Sequence, residues 1–230
     1  MLPAVFGCST SNYLPERIWR QSLSACERAG LAMPFWGEMP TPQAVNASNV
    51  GGDAWYACTA MKPANFARFL KFTSAPWVIL SDCDVCFFAN QPGWVELEKW
   101  FLNQERPMAC QAQDDEVFNS GVILVKDKEL AANRLESTSC MAMGQKLAYG
   151  DQTALNQLCK NEIAAIPEEF FLPRELPFWG TRPNLVFYHA WGLLSGAVPQ
   201  LGGEADDKFF YEKANHLFQM KVMGETVLAS

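Results

Sequence analysis

The sequence has little positive charge, and it is short of the features that commit a chain to nucleic acid, membrane or export. Its 18 lysines and arginines stand against 25 aspartates and glutamates, for a formal net charge of −7 and a pI near 4.9. A protein that grips a phosphate backbone needs a basic stripe, and none is present. No uncharged apolar run approaches the length of a bilayer span. The opening, MLPAVFGCST, lacks the basic n-region and cleavage pattern of a signal peptide and reads as a first strand. The expectation is a soluble, cytoplasmic protein. Repeats, linkers and low-complexity tracts are absent too, so the 230 residues predict one domain with enough chain for a substantial core.

What is there is apolar and globular: 49% hydrophobic residues against 19% charged ones. The eight cysteines are scattered through strand-like and helix-like segments, and in a chain this long they read as buried reduced thiols. Cys83 and Cys86 form a CxxC, but no second CxxC or Cys/His pair at zinc spacing accompanies it. A thioredoxin-type CxxC would also start a helix, whereas this one sits in strand-like sequence.

Along the chain, Leu2 to Cys8 predicts a strand ending in the polar turn Ser9 to Asn12. A helix follows, with Pro15 in its first turn, Leu14, Ile18, Leu23 and Cys26 on one face, and Gly30 just past its end. Residues 31–54 read as loop with a short strand near Pro34 to Trp36, and Pro63 to Phe72 as a helix. The run WVILSDCDV is the near-continuous apolar pattern of a central parallel strand. GWVELEKWFLN suits a helix, MACQAQ and Gly121 to Asp127 suit strands, and Asp151 to Lys160 suits a helix capped by Asp151. IAAIP and LVFYHA add short strands, and residues 205–221 a last helix. Such alternation predicts an α/β fold around a mostly parallel sheet flanked by helices. Ligands of these sheets bind beyond the carboxyl ends of the strands, where Asp82, Asp84, the Ser9–Asn12 turn and His189 fall.

Two aspartates separated only by Cys83 repel one another, so the pair calls for a cation, a shared proton or solvation. On an extended segment, side chains at i and i+2 point the same way and can converge on one object. A hard divalent cation such as Mg²⁺ or Mn²⁺ suits them. Further on, FNSGVILVK carries Asn119 and Ser120 into a strand. YGDQTALNQLC sets Asp151 and Gln152 at a helix start, and VFYHAWG ends in His189.

In this order the motifs resemble the GT-A glycosyltransferases, a single-domain Rossmann-like fold. They are most similar to the retaining family 8, around glycogenin and the bacterial lipooligosaccharide galactosyltransferases. The resemblance runs from STSNYLP to His189. It implies a nucleotide-binding half, residues 1–90, ending in the DxD strand, and an acceptor-binding, metal-completing half, residues 91–230. It implies Asp84 and His189 as metal ligands, with Asp82 on the metal or the donor's ribose; a histidine beside carboxylates suits Mn²⁺ somewhat better than Mg²⁺. It implies Thr10 and Asn12 at the nucleoside with Cys8 near the base, Asn119 facing sugar or acceptor, and Asp151 and Gln152 on the reacting face of the donor. Lys62, or in competition Arg68, would contact the sugar or diphosphate; the plainer reading of Lys62 is a solvated lysine. The reaction implied is transfer of a sugar from a nucleotide-diphosphate sugar, UDP by resemblance, to a glycan, lipid-linked glycan or protein, with retention.

The sequence departs from the family's late His-x-x-Gly-x-x-Lys pattern, since Ser195 stands at the lysine position after Gly192. Ser195 supplies a hydrogen bond to the diphosphate but no charge, which leaves Lys208 and Lys213 as candidate substitutes and also admits a non-catalytic nucleotide-sugar binder. From another class, VILSDCDV matches the strand of haloacid-dehalogenase-type phosphatases, with Asp82 as nucleophile and Asp84 as acid/base. A sugar-1-phosphate nucleotidyltransferase would want a glycine-rich basic loop that GCSTSNYLPER lacks.

Overall fold

Residues that alternate along the strands divide between two cores. Val5, Ile79 and Leu124 pack on one side of a sheet; Phe6, Leu80 and Ile123 pack on the other. Both sides are covered, which is why these strands are apolar throughout rather than alternating. The structure is a computed structural model and describes residues 2–10, 15–39, 53–83, 85–113, 117–145, 150–172 and 183–189.

The described chain runs β1 (Ala4–Thr10), α1 (Pro15–Arg28), β2 (Met33–Met39), α2 (Asp53–Phe72), β3 (Val78–Ser81), β4 (Val85–Phe87) and α3 (Gln91–Leu102). It continues with β5 (Met108–Ala112), β6 (Phe118–Val125), α4 (Lys128–Gln145), α5 (Gly150–Cys159), β7 (Ile163–Ala165), β8 (Phe171–Leu172) and β9 (Phe187–His189). The main sheet is six-stranded, in the order β2-β1-β3-β6-β5-β7. β1 runs parallel to β2 and β3, and β5 parallel to β7, while β6 is antiparallel to both its neighbours. The expected mostly parallel α/β sheet is therefore present, with β6 alone reversed.

That reversal positions the site. Ser81 at the end of β3 faces Val122, so the beginning of β6, with Asn119 and Ser120, lies at the carboxyl end of the parallel strands. The register of β5 against β6 then breaks between Cys110↔Ile123 and Ala112↔Phe118, leaving Gln111 alone opposite residues 119–122. Such irregularities bend a strand and re-aim side chains.

Helices α1 and α3 cover one face through Trp19, Leu23 and Cys26 and through Trp94, Leu97 and Phe101. Helices α2, α4 and α5 cover the other through Phe66, Leu70, Leu135 and Leu155, and meet one another on Ala60, Ala142 and Ala154. A small sheet of order β4-β9-β8 joins the α1/α3 side. Gly30, at φ 68, closes α1 in the left-handed conformation, and the Leu31 N–H reaches back 2.9 Å to the Cys26 carbonyl. None of the helices among the described residues is long and apolar enough to cross a membrane.

Several elements differ from the sequence reading. Helix α2 starts at Asp53, so Pro63 lies inside it, and Lys62 belongs to a helix rather than to a lead-in. The short strand expected near Pro34 to Trp36 is present and longer, as β2 over Met33–Met39. α4, β4 and β8 were not foreseen. The 205–221 helix lies outside the described residues. The eight cysteines are free, six of them buried, and Cys86 sits in β4 with no helix starting at the CxxC.

Candidate active site

The site begins where β3 runs out. Its apolar residues hold the strand centrally, and one hydrogen bond beyond its end, from the Asp82 N–H to the Gly121 carbonyl at 2.7 Å, ties Asp82 to the start of β6. Trp19 donates its indole N–H to the Ser81 hydroxyl at 3.2 Å, and that hydroxyl donates to the Asp82 carbonyl at 2.8 Å. Gly7 on β1 makes room for this tryptophan: a Cβ there would lie 2.5 Å from the Trp19 ring. A close-packed scaffold thus sets the direction in which the acidic segment leaves the sheet.

Lys62 extends from α2 into this end of the sheet. Its ammonium lies 2.7 Å from Asp82 Oδ1 and 2.6 Å from Asp151 Oδ2, and Ser120 donates to the same Asp151 oxygen at 2.8 Å. Lys62, Asp151 and Ser120 are all buried, with Lys62 only 8% exposed. Burial by itself would lower the lysine pKa, but Asp151 and then Asp82 outweigh it and hold the ammonium above the ordinary lysine range. The solvated reading of Lys62 is therefore corrected. Arg68, its competitor, is on the exposed face of α2.

Asp151 occupies the first turn of α5, with its carboxylate turned to Lys62 and Ser120. Gln152 Nε2 donates to Gln113 at 3.0 Å near the surface. The side-chain Oδ1 of Asn119 accepts the Gly121 N–H at 2.7 Å, a local turn that shapes the irregular start of β6. The Cys8 carbonyl accepts the Cys83 thiol at 3.3 Å. The Cys8 thiol itself is pushed up to about 12, by burial first, with Lys62 acting against this and the two carboxylates with it. At neutral pH it is a protonated wall, not a nucleophile.

His189 closes β9 and pairs across the small sheet with Val85, the residue after Asp84. The ring is buried, with Nδ1 3.3 Å from Gln111 Oε1. A Cβ on Gly121 would overlap this ring. Gly121 therefore touches two predicted site residues at once, Asp82 through its carbonyl and His189 through its missing side chain.

Of the sequence-predicted residues, Lys62, Asp82 and Asp151 stand in direct contact, and Asn119 and His189 border the same stretch of β6. Cys8 lies beside them, and Gln152 is hydrogen-bonded to Gln113. Asn12, Asp84 and Ser195 lie outside the described residues, as does the side chain of Thr10. The sequence reading missed Gln111, the hydroxyl of Ser120 and the room made by Gly121. One signal was available: a glutamine within the otherwise apolar MACQA needs a buried partner.

The triad of one ammonium and two carboxylates carries one excess negative charge, with Lys62 and Asp151 buried and Asp82 partly exposed, at the end of the sheet where α/β folds bind ligands. A surface recess of about 770 Å³, lined among others by Leu70, Thr73, Lys126 and Asn133, lies at the other end of the sheet and shares no residue with these groups.

No family model matches the chain, and neither does any curated protein sequence. Solved structures do match. A glycosyltransferase involved in glycosylating the major capsid of the virus PBCV-1 superposes with a TM-score of 0.56 at 11% identity, covering 92% of this chain and 100% of that one. The glycosyltransferase GlyE of Streptococcus pneumoniae TIGR4 gives 0.54 at 14% identity over 99% of this chain, which spans 64% of GlyE's length. The bifunctional glycosyltransferase WbbM gives 0.51 at 12% identity over 96% of this chain and 52% of its own. At identities this low the shared property is the architecture, and the chain has the GT-A glycosyltransferase fold.

Proposed function

We propose that this protein is a divalent-metal-dependent glycosyltransferase that moves a sugar from a nucleotide-diphosphate sugar, UDP-linked, to a glycan, lipid-linked glycan or protein acceptor, with retention. The observation that carries this reading is Lys62 holding Asp82 and Asp151 together at the carboxyl end of the central strands of a GT-A fold. Four motifs far apart in sequence meet there: the DxD strand end, the FNSG start of β6, the DQ helix and the late histidine.

The residues present fit a cation. The ring of His189 is buried against Gly121 with Nδ1 turned to an amide oxygen, the usual arrangement of a metal-binding histidine, and Asp84 is one residue from its strand partner Val85. Asp84 and His189 would hold Mn²⁺ or Mg²⁺, with Asp82 touching the metal or the donor's ribose. Bound there, the cation would offset charge developing on the leaving diphosphate. Thr10, Asn12 and Cys8 would line the nucleoside pocket, Ser195 would bond the diphosphate, and Asn119 would face sugar or acceptor. Gln152 and Asp151 would flank the reacting carbon, where a carboxylate or amide dipole favours an oxocarbenium-like transition state. Lys62 acquires a different role from the one its sequence position implied: it aims the Asp151 carboxylate and joins it to the DxD segment.

The phosphatase reading is not favoured. It requires the aspartates to end the first strand, whereas Asp82 follows β3, and it has no use for the reversed β6. The test is thermal stability with UDP, GDP and their sugars, with and without Mn²⁺, in wild type and Asp84→Ala. A ligand at a hundred times its dissociation constant adds about 2.7 kcal/mol, a readable shift in melting temperature. The expected shift needs both nucleotide and metal and is absent in the variant. No shift, combined with metal-dependent phosphate release from small phosphoesters, would return the phosphatase. Binding with no sugar transfer would leave a nucleotide-sugar binder.

A further inference from the structure

We infer that Gln111 is a positioning residue that selects the tautomer of His189 and aims its Nε2. Gln111 is buried in β5 directly after Met108, Ala109 and Cys110, which are buried and apolar. An amide in such surroundings is costly unless it is hydrogen-bonded. It stands where the β5–β6 register breaks, as the single β5 residue facing 119–122, so the irregularity that shapes the site also turns this side chain toward it.

Its Oε1 lies 3.3 Å from His189 Nδ1. A carbonyl oxygen only accepts, so Nδ1 carries the proton, and in the neutral ring the lone pair is then on Nε2. The absent side chain of Gly121 lets the ring lie close against the β6 backbone, which limits rotation out of this contact. The ring is thus held at one nitrogen by Gln111 and along its edge by β6. The purpose of that choice, presenting Nε2 to a cation shared with Asp84, rests on the metal-dependent reading proposed above.

The tautomer can be read without metal. The chain has two histidines, so ¹⁵N-histidine labelling with a His216→Gln variant assigns the His189 signals, and their two-bond couplings report which nitrogen is protonated. In metal-free protein at a pH where the ring is neutral, the expected form is Nδ1–H. Gln111→Glu keeps an acceptor and retains that form. Gln111→Met keeps the volume, removes the acceptor and gives a mixture or the Nε2–H form. Mn²⁺ titrated by electron paramagnetic resonance binds wild type and Gln111→Glu comparably, and Gln111→Met about 10- to 100-fold more weakly. An Nε2–H ring in wild type would overturn the proposal, as would Gln111→Met with unchanged tautomer and Mn²⁺ affinity. Wild type that shows the Nδ1–H ring but binds no Mn²⁺ would sink the metal reading and leave the hold of Gln111 on the ring standing.

Discussion

At the carboxyl end of the main sheet the ammonium of Lys62 sits between two carboxylates, 2.7 Å from Asp82 and 2.6 Å from Asp151. At the amino end two other lysines meet, among the described residues, main-chain carbonyls rather than carboxylates. Lys128 donates to Thr73 and Ala75 at 3.0 and 2.8 Å, just beyond α2. Lys126 reaches Phe101, Leu102 and Gln104 at the end of α3. The amino-end lysines, half-buried, serve the fold: Lys126 answers the last carbonyls of α3, and Lys128 those of the loop just past the negative dipole end of α2. The carboxyl-end lysine is buried with two acids that no folding argument requires to be there. Replacing a buried ion cluster by apolar groups is often neutral or stabilising, so such a cluster is weak evidence for stability. The difference between the two ends supports the proposed reading of the carboxyl end as the site of chemistry.

The sharpest way to break this comparison is Lys62→Met, which leaves Asp82 and Asp151 together without their cation. Removing one partner of a buried charge cluster costs about 3–5 kcal/mol, visible as a lowered midpoint in urea unfolding. Because the lysine pKa is raised in the fold, its contribution is complete below the ordinary lysine pKa and lost only as pH climbs through the raised value. The gap between wild type and variant is therefore expected to be flat from about pH 7 to about pH 10, below the unperturbed lysine value. A gap that closes within that window would contradict the burial of the charge.

Ser120→Ala comes next. It removes the hydroxyl hydrogen bond to Asp151 at 2.8 Å, and bonds to charged groups are worth roughly 1.5–3 kcal/mol. A double-mutant cycle with Asp151→Asn should show coupling between them, and additive effects would dismiss the bond. Gly121→Ala forces the His189 ring to move, at a cost of about 1–3 kcal/mol for overpacking. Its telling effect is on the thermal shift with nucleotide and Mn²⁺, which should disappear. The smallest effect belongs to the other end: Lys128→Met should cost about 0.3–1 kcal/mol, the range for a cation at a helix C-terminus, and leave ligand-induced shifts unchanged. Equal sensitivity of ligand binding to Lys62→Met and Lys128→Met would erase the distinction between the two ends.

Much of the scaffold could be read before the fold was seen. VILS is buried on both faces, so its apolar run announces a central strand, and the acids after it mark a strand end. The helix stop at Gly30 and the helix at GWVELEKWFL follow from local chemistry. Other parts carried no local signal. Helix α4 buries Ala131, Ala132, Thr138, Ser139 and Ala142, small residues that allow close approach to α2 and α5 but draw no wide apolar stripe. In the small sheet LVFYHA predicts β9, but β4 and β8, of three and two residues, are too short for any period to register. Pro63 looked like a helix start, yet α2 carries it in its interior.

Composition, the strand-ending aspartates and the order of short motifs were enough for the fold class and for singling out Asp82, Asn119, Asp151 and His189, because burial, turn chemistry and like-charge repulsion act within a few residues. The direction of β6, the burial of Lys62 between Asp82 and Asp151, and the meeting of Gln111, Gly121 and His189 could come only from folding. Each depends on which strands pair, in which sense and register, and on which helix then covers them. Those choices are made by contacts between residues tens of positions apart, where no local pattern reaches.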